Sequence, residues 1–229
     1  MKLPSLANSA WIIIPVSITL INWSASWQGK RRWYAVSKPL VLASLILFFG
    51  SKGGFEGQGI PFAWGLGFSL LGDCLLIGQG QVWSAAGIAA FTAAHVAYMV
   101  GFSQWVAPVG ATVGTTIVAL GIYVLYLRWI LAEADKMPQL KQLGYLFGGY
   151  FFFLIDMSAS AVLCLFRSAW PGKAGLMAAA GGIAFVISDT ILARRQLGRG
   201  GPHARFWTIA SYHVAQFLIV AAVLSTLKN

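Results

Sequence analysis

The chain has 229 residues, of which 58% are hydrophobic and 10% charged, with a formal net charge of +10. Soluble domains carry about 25% charged residues, so this composition excludes one and describes a protein held almost entirely within a membrane. The basic excess does not describe a nucleic-acid binder, because Lys and Arg fall in a few short loops, as the positive-inside rule expects of membrane proteins.

A spanning helix needs about 20 mostly apolar residues. In chain order, the candidate spans are 5–23, 35–50, 60–78, 83–104, 108–131, 144–166, 174–193 and 206–226. The first imitates a signal peptide, with Lys2, an apolar run from Trp11 to Ile21 and then Ser24-Ala25-Ser26. No exported soluble domain follows, so it reads as a membrane helix. The second is short unless Lys38 snorkels from its start. Glycines at 65, 67, 148, 149, 181 and 182 allow close helix approach. Cys74 and Cys164 lie in apolar runs and read as small buried hydrophobes. The expectation is an all-α polytopic bundle of about eight transmembrane helices, with residues 1–229 as a single integral membrane domain.

The connections between spans 1–2, 3–4, 5–6 and 7–8 share one side. They carry most of the basic residues, among them Lys30, Arg31, Arg32, Arg128, Lys136, Lys141, Arg194, Arg195, Arg199 and Arg205. The other side holds Lys2, Lys52, Arg167, Lys173 and Lys228. Both termini are therefore expected to face away from the cytoplasm.

Two acids interrupt the apolar runs: Asp73 in FSLLGDCLLIG and Asp189 in GGIAFVISDTILA. A charge near the centre of a membrane helix costs about 2.5–3.5 kcal/mol on insertion scales, which marks it as a functional candidate. The plainer alternative is an acid near a helix end that reaches the headgroups. The predicted topology puts Asp73, Asp189, Tyr212 and His213 at related depths from the cytoplasmic side, with His95 deeper. One cavity open to that leaflet would reach them all and suit an amphiphile whose head stays at the interface.

The halves are faintly alike. Asp73 is followed 22 residues later by His95, and Asp189 is followed 24 residues later by His213. His95-Val96-Ala97-Tyr98 matches His213-Val214-Ala215-Gln216. This fits a parallel 4+4 repeat that would bring the two acids face to face. Chance is the rival.

Two facing carboxyls in low dielectric cannot both ionise easily, so one serves as acid beside a basic partner. Such a pair suits hydrolysis through an oxocarbenium-like state. The alternative is a structural pair sharing a proton, or two acids that never meet. His95 and Tyr98 share a helix face, as do Tyr212 and Gln216. Asp156, in FFFLIDMSASAV, either lines the cavity or pairs with a neighbouring helix. Lys38 either snorkels or holds a phosphate at the cytoplasmic mouth. The loop Arg194–Arg205 either sets orientation or touches a headgroup. Asp73, Asp189, His95 and His213 have the donor types for a metal. No HxxxH or HExxH spacing supports one, and neither metal nor cofactor is expected. There is no G-x-S-x-G elbow, no Walker A lysine and no Gly-x-Gly-Asp pattern at Asp73.

The chain resembles the YhhN family of eight-span membrane proteins, which includes the mammalian lysoplasmalogenases. The resemblance rests on Lys38-Pro39-Leu40, Leu71-Gly72-Asp73, Ala94-His95-Val96-Ala97-Tyr98, Ser188-Asp189-Thr190-Ile191-Leu192-Ala193 and Tyr212-His213-Val214-Ala215-Gln216-Phe217-Leu218-Ile219. It implies hydrolysis of the vinyl ether bond of lysoplasmalogens to a fatty aldehyde and glycerophosphoethanolamine or glycerophosphocholine. The motif residues carry over as Asp73, His95, Tyr98, Asp189, Tyr212 and Gln216. His213 stands where an aromatic residue is expected, and Asp156 has no counterpart. One Asp would be the general acid, and the other the base or an electrostatic stabiliser. His95, Tyr98 and Tyr212 would tune the pair, and Lys38, His213, Gln216 and Asp156 would contact substrate. The expected partners are a lysophospholipid substrate and membrane lipids. The expected site in a bacterium is the inner membrane. The rival class is a proton-coupled transporter or a lipid-handling protein without hydrolase activity.

Overall fold

The computed structural model describes residues 10–136 and 138–227. The start of the first predicted span, Lys2 and Lys228 lie outside the described residues. Among those residues the chain is helical, with eight α-helices: α1 Ile13–Trp27, α2 Arg31–Ser51, α3 Ile60–Leu75, α4 Gln81–Phe102, α5 Val109–Asp135, α6 Lys141–Leu163, α7 Lys173–Gln196 and α8 Ala204–Thr226. Six of them, all but α1 and α3, are long and apolar enough to cross a membrane. The 16 residues of α3 give about 24 Å at 1.5 Å per residue. It ends earlier than the apolar run does, so Asp73 sits only two residues before its end.

Local sequence sets the ends. Gly29, Gly53 and Gly198 adopt positive φ just after α1, α2 and α7. That is the left-handed conformation in which helices commonly stop. At α7 the reversal is closed by Arg199 N–H donating to the Arg194 carbonyl at 2.7 Å. Pro61 enters α3 in its first turn, where its missing N–H costs nothing. Inside α2, Pro39 removes one helical hydrogen bond. Asn22 of α1 braces the preceding turn, donating to Tyr34 O at 3.2 Å and Ser37 Oγ at 2.9 Å.

Contacts run α1–α2–α3–α4–α6–α7–α8 and back to α1, closing a ring. α5 stays outside it, packed on α6, and buries only Ile130 and Ala134. The contacts also respect the 4+4 pattern. The succession α1–α2, α2–α3, α3–α4 recurs as α5–α6, α6–α7, α7–α8, and the cross-contact of α4 with α6 matches that of α8 with α2. The α1–α8 contact has no comparable α5–α4 counterpart, which is why one outer helix joins the ring and the other does not.

Aromatic rings fill one end of the ring. Phe62 at the start of α3 meets Phe102 at the end of α4 edge-on at 5.1 Å, and Trp170 meets both at 6.0 and 5.5 Å. The opposite end, where α3 and α7 finish and α2 and α8 begin, holds the polar residues.

Candidate active site

Asp73 is fully buried although it lies near a helix end. Lys38 of α2 covers it, with Nζ 3.0 Å from Oδ1. Tyr212 of α8 donates its hydroxyl to Oδ2 at 3.1 Å. Gly72 makes room on α3, since a Cβ there would stand 2.6 Å from the Phe91 ring.

Asp189 of α7 has a different pair of partners. Tyr150 of α6 donates its hydroxyl to Asp189 Oδ2. The same hydroxyl lies 2.8 Å from His95 Nε2 of α4, and His95 Nε2 is 3.5 Å from Asp189 Oδ2. His95 thus reaches the carboxylate chiefly through Tyr150.

The two clusters follow the repeat. Asp73 on α3 draws partners from α2 and α8; Asp189 on α7 draws them from α6 and α4. Under the pairing of α3 with α7, those helices correspond. The residue in the place matching His95 is therefore Tyr212, where the sequence repeat pairs His95 with His213. The chemistry of the halves differs: Asp73 faces a permanent cation, and Asp189 faces a phenol and an imidazole.

Both carboxyls line one crevice, with Lys38, Tyr34, Ser188 and Tyr212. A water-sized sphere finds about 50 Å³ there. A water needs about 10–15 Å³ by this measure, so a few fit. The crevice can therefore hold water between two carboxyls of unlike environment. That arrangement can deliver a proton, stabilise a cation and supply a nucleophile.

The remaining sequence candidates divide. Tyr98 and Gln216 are both buried behind Tyr212, joined by Tyr98 donating to Gln216 Oε1 at 2.6 Å, and neither lines the crevice. His213 accepts a bond from Trp23 Nε1 at its Nδ1, 3.1 Å away, and does not line the crevice either. Lys38 is buried on Asp73, not snorkelling or free at the mouth. Asp156 neither lines the crevice nor pairs with a neighbouring helix. It lies on the exposed face of α6 and has no hydrogen bond or ion pair among the described residues. No three His, Cys, Asp or Glu side chains among the described residues gather as a metal site.

The sequence model of the YhhN family matches residues 33–223, which include every residue of both carboxyl clusters. The chain belongs to the YhhN family. With its apolar helices, it is an integral, multi-pass membrane protein. Curated relatives include lysoplasmalogenase TMEM86B of Sus scrofa, 30% identical over 202 residues that make up 86% of this chain and 76% of the relative. Lysoplasmalogenase TMEM86A of Bos taurus and of Homo sapiens are each 29% identical over 165 residues, 71% of this chain and 64% of theirs. No solved structure matches the chain.

Sequence reading of this YhhN-family chain missed Tyr150 and Tyr34, and placed Arg195, which also lines the crevice, only within the basic loop Arg194–Arg205. Tyr150 stands in the aromatic run Tyr150-Phe151-Phe152-Phe153 and gives no separate polar signal. Its signal is positional. In a 4+4 repeat, the α6 residue facing Asp189 is the counterpart of Lys38, which a comparison of the halves at that depth would bring out.

Proposed function

We propose that the protein is a membrane hydrolase that cleaves the vinyl ether bond of lysoplasmalogens. The products are a fatty aldehyde and glycerophosphoethanolamine or glycerophosphocholine. The observation that carries this reading is the unlike pair of carboxyls in one crevice, one compensated by Lys38 and the other without a permanent cation. The names of the relatives support the substrate class.

In this reading the unlike partners of the two carboxyls divide the roles. Lys38 and Tyr212 hold Asp73 as a carboxylate. Asp189 accepts from Tyr150 at Oδ2, which leaves Oδ1 to carry a proton. Asp189 gives that proton to the β-carbon of the vinyl ether. The new C–H bond takes the π electrons, and an oxocarbenium ion forms beside the Asp73 carboxylate, which stabilises it. Water adds to the cationic carbon and its proton passes to Asp189, restoring the acid. The hemiacetal then collapses. Its hydroxyl proton leaves, the bond to the glycerol oxygen breaks, and that oxygen is protonated. The net consumption is one water.

The aromatic plug of Phe62, Phe102 and Trp170 favours this reading over transport, because it makes the ring a cup open at one end. In this reading both termini face away from the cytoplasm, as the distribution of basic residues favours, and the crevice opens at the cytoplasmic leaflet. The test is aldehyde release by purified protein in mild detergent with lysoplasmenylethanolamine. Turnover in the wild type, lost in folded Asp73→Asn and Asp189→Asn, is expected. No turnover, with proton-dependent flux in sealed vesicles, would move the assignment to a transporter. Turnover should survive EDTA. Loss with EDTA and recovery with zinc would instead make the Asp and His residues metal ligands.

A further inference from the structure

Arg195 lies six residues beyond Asp189 on α7, about 9 Å along the helix axis. It lines the acidic crevice and also a second, polar pocket of about 500 Å³. That outer pocket is built from the end of α1, including Trp27, the α7–α8 connection, including His203, and the start of α8, including Arg205. Its wall is well defined. His203 takes a left-handed φ of 53° and stacks on Trp27 with centroids 3.9 Å apart. Arg195 is therefore the residue shared by the inner and outer chambers.

Its guanidinium has no carboxylate partner among the described residues. The only protein hydrogen bond it makes there is a long one, Nη1 to Thr208 Oγ1 at 3.4 Å. Arg205 lies within Coulombic reach of it and also has no ion-pair partner among these residues. Arg205 instead sits over the Tyr34 ring, 5.5 Å from the centroid. Other basic groups nearby are taken: Lys38 by Asp73, and Arg199 by Glu133 at 3.2 Å. Two half-shielded guanidiniums without counter-ions repel each other, and an anion between them removes that cost. The forked donors of Arg suit phosphate.

We propose that Arg195, with Arg205, binds the headgroup phosphate of the lysolipid while its ether bond lies between Asp73 and Asp189. This rests on the reading of the crevice as a vinyl ether hydrolase site. A glycerol phosphate has a reach of the same order as the helical rise between positions 189 and 195. The assignment also sets specificity. The outer pocket is lined by no carboxylate, so no ion pair in it favours the ammonium of ethanolamine over that of choline. The phosphate is required; the alcohol on it is not read.

The test uses ligands that cannot be hydrolysed, so it does not depend on turnover. Purified protein in mild detergent is titrated with 1-O-alkyl lysophosphatidylethanolamine, its choline analogue and phosphate-free 1-O-alkylglycerol, and binding is read by calorimetry. The two phospholipids should bind alike, and the alkylglycerol more weakly. Arg195→Gln should weaken phospholipid binding about ten- to hundredfold and leave the alkylglycerol unchanged. Arg195→Lys should recover part of the loss, and Arg199→Gln should bind as wild type. If Arg195→Gln does not fold, Arg205→Gln carries the same comparison. Equal binding of all three lipids, or a phosphate preference that survives both substitutions, overturns the proposal. Inorganic phosphate binding as tightly as the lysophospholipid would make this a free-anion site and overturn the headgroup assignment. Failure of aldehyde release alone would instead count against the hydrolase.

Discussion

Lys38 on α2 and Asp73 on α3 form an ion pair at 3.0 Å with both side chains almost wholly removed from solvent. Its counterpart across the repeat is neutral on one side: Tyr150 on α6 meets Asp189 on α7. Two halves of similar backbone plan thus surround their carboxyls with unlike partners, an ammonium at Asp73 and a phenol at Asp189. In the proposed hydrolase this difference would let one site contain both a proton donor and a fixed negative charge.

Removing one partner of a buried ion pair costs about 3–5 kcal/mol, because the other charge is left uncompensated. Lys38→Met should therefore lower thermal stability by that order and abolish aldehyde release. Adding Asp73→Asn to it should restore most of the stability and none of the activity. Thermal melts of the single and double variants, alongside the turnover assay, check both statements.

Asp189→Asn keeps the shape of the side chain and leaves no lysine or arginine beside it unpaired. It should melt close to wild type. Loss of general acid catalysis is worth about 10²–10⁴ in rate, so kcat should fall by that factor. Binding of a saturated ether analogue should be retained. A kcat within a few-fold of wild type would remove Asp189 from the acid role.

In the proposed mechanism Tyr150, which donates to Asp189, would act through it as a positioning residue. Tyr150→Phe leaves His95 Nε2 and Asp189 Oδ2 without their shared hydroxyl. The stability cost should be about 1–3 kcal/mol. Misplacement of a reacting group costs up to about a hundredfold in rate, so kcat should drop while KM stays near wild type. A merely structural role would change melting and leave kcat per folded molecule unaltered.

Gly72 precedes Asp73 and faces Phe91, which itself lines the crevice. Gly72→Ala would force the ring aside. Overpacking of this kind costs about 1–3 kcal/mol. KM should rise together with the loss of stability, as Phe91 moves into space the substrate uses. Steady-state kinetics with a melting curve would show both changes, whereas Gly67→Ala, where a Cβ meets open space, should show neither.

The helices were legible because length and hydropathy decide whether a segment can lie in lipid. Asp73 and Asp189 were legible because an acid in an apolar run is conspicuous. The direction in which a residue faces was not. Asp156 carries the same signal as Asp189, yet it falls on the exposed stripe of α6 with Leu146, Gly149 and Phe152. Tyr150, Leu154, Met157 and Ala161 form the buried stripe. Both stripes are largely apolar, so no periodicity distinguishes lipid from protein. Lys38 was legible as an unusual residue. Its partner was not, because the pairing depends on how α2 meets α3.

α8 closes the ring by packing against α1 and α2, and it brings Tyr212 to Asp73. It is also the last of the described helices to leave the ribosome. Until it inserts, Asp73 lacks its phenol and the crevice lacks a wall. A chain interrupted after α7 would carry both acids of the crevice, Asp73 and Asp189, and no finished site. The proposed site is thus complete only with α8 in place, and loss of that helix should expose the defect to membrane quality control before the site could work.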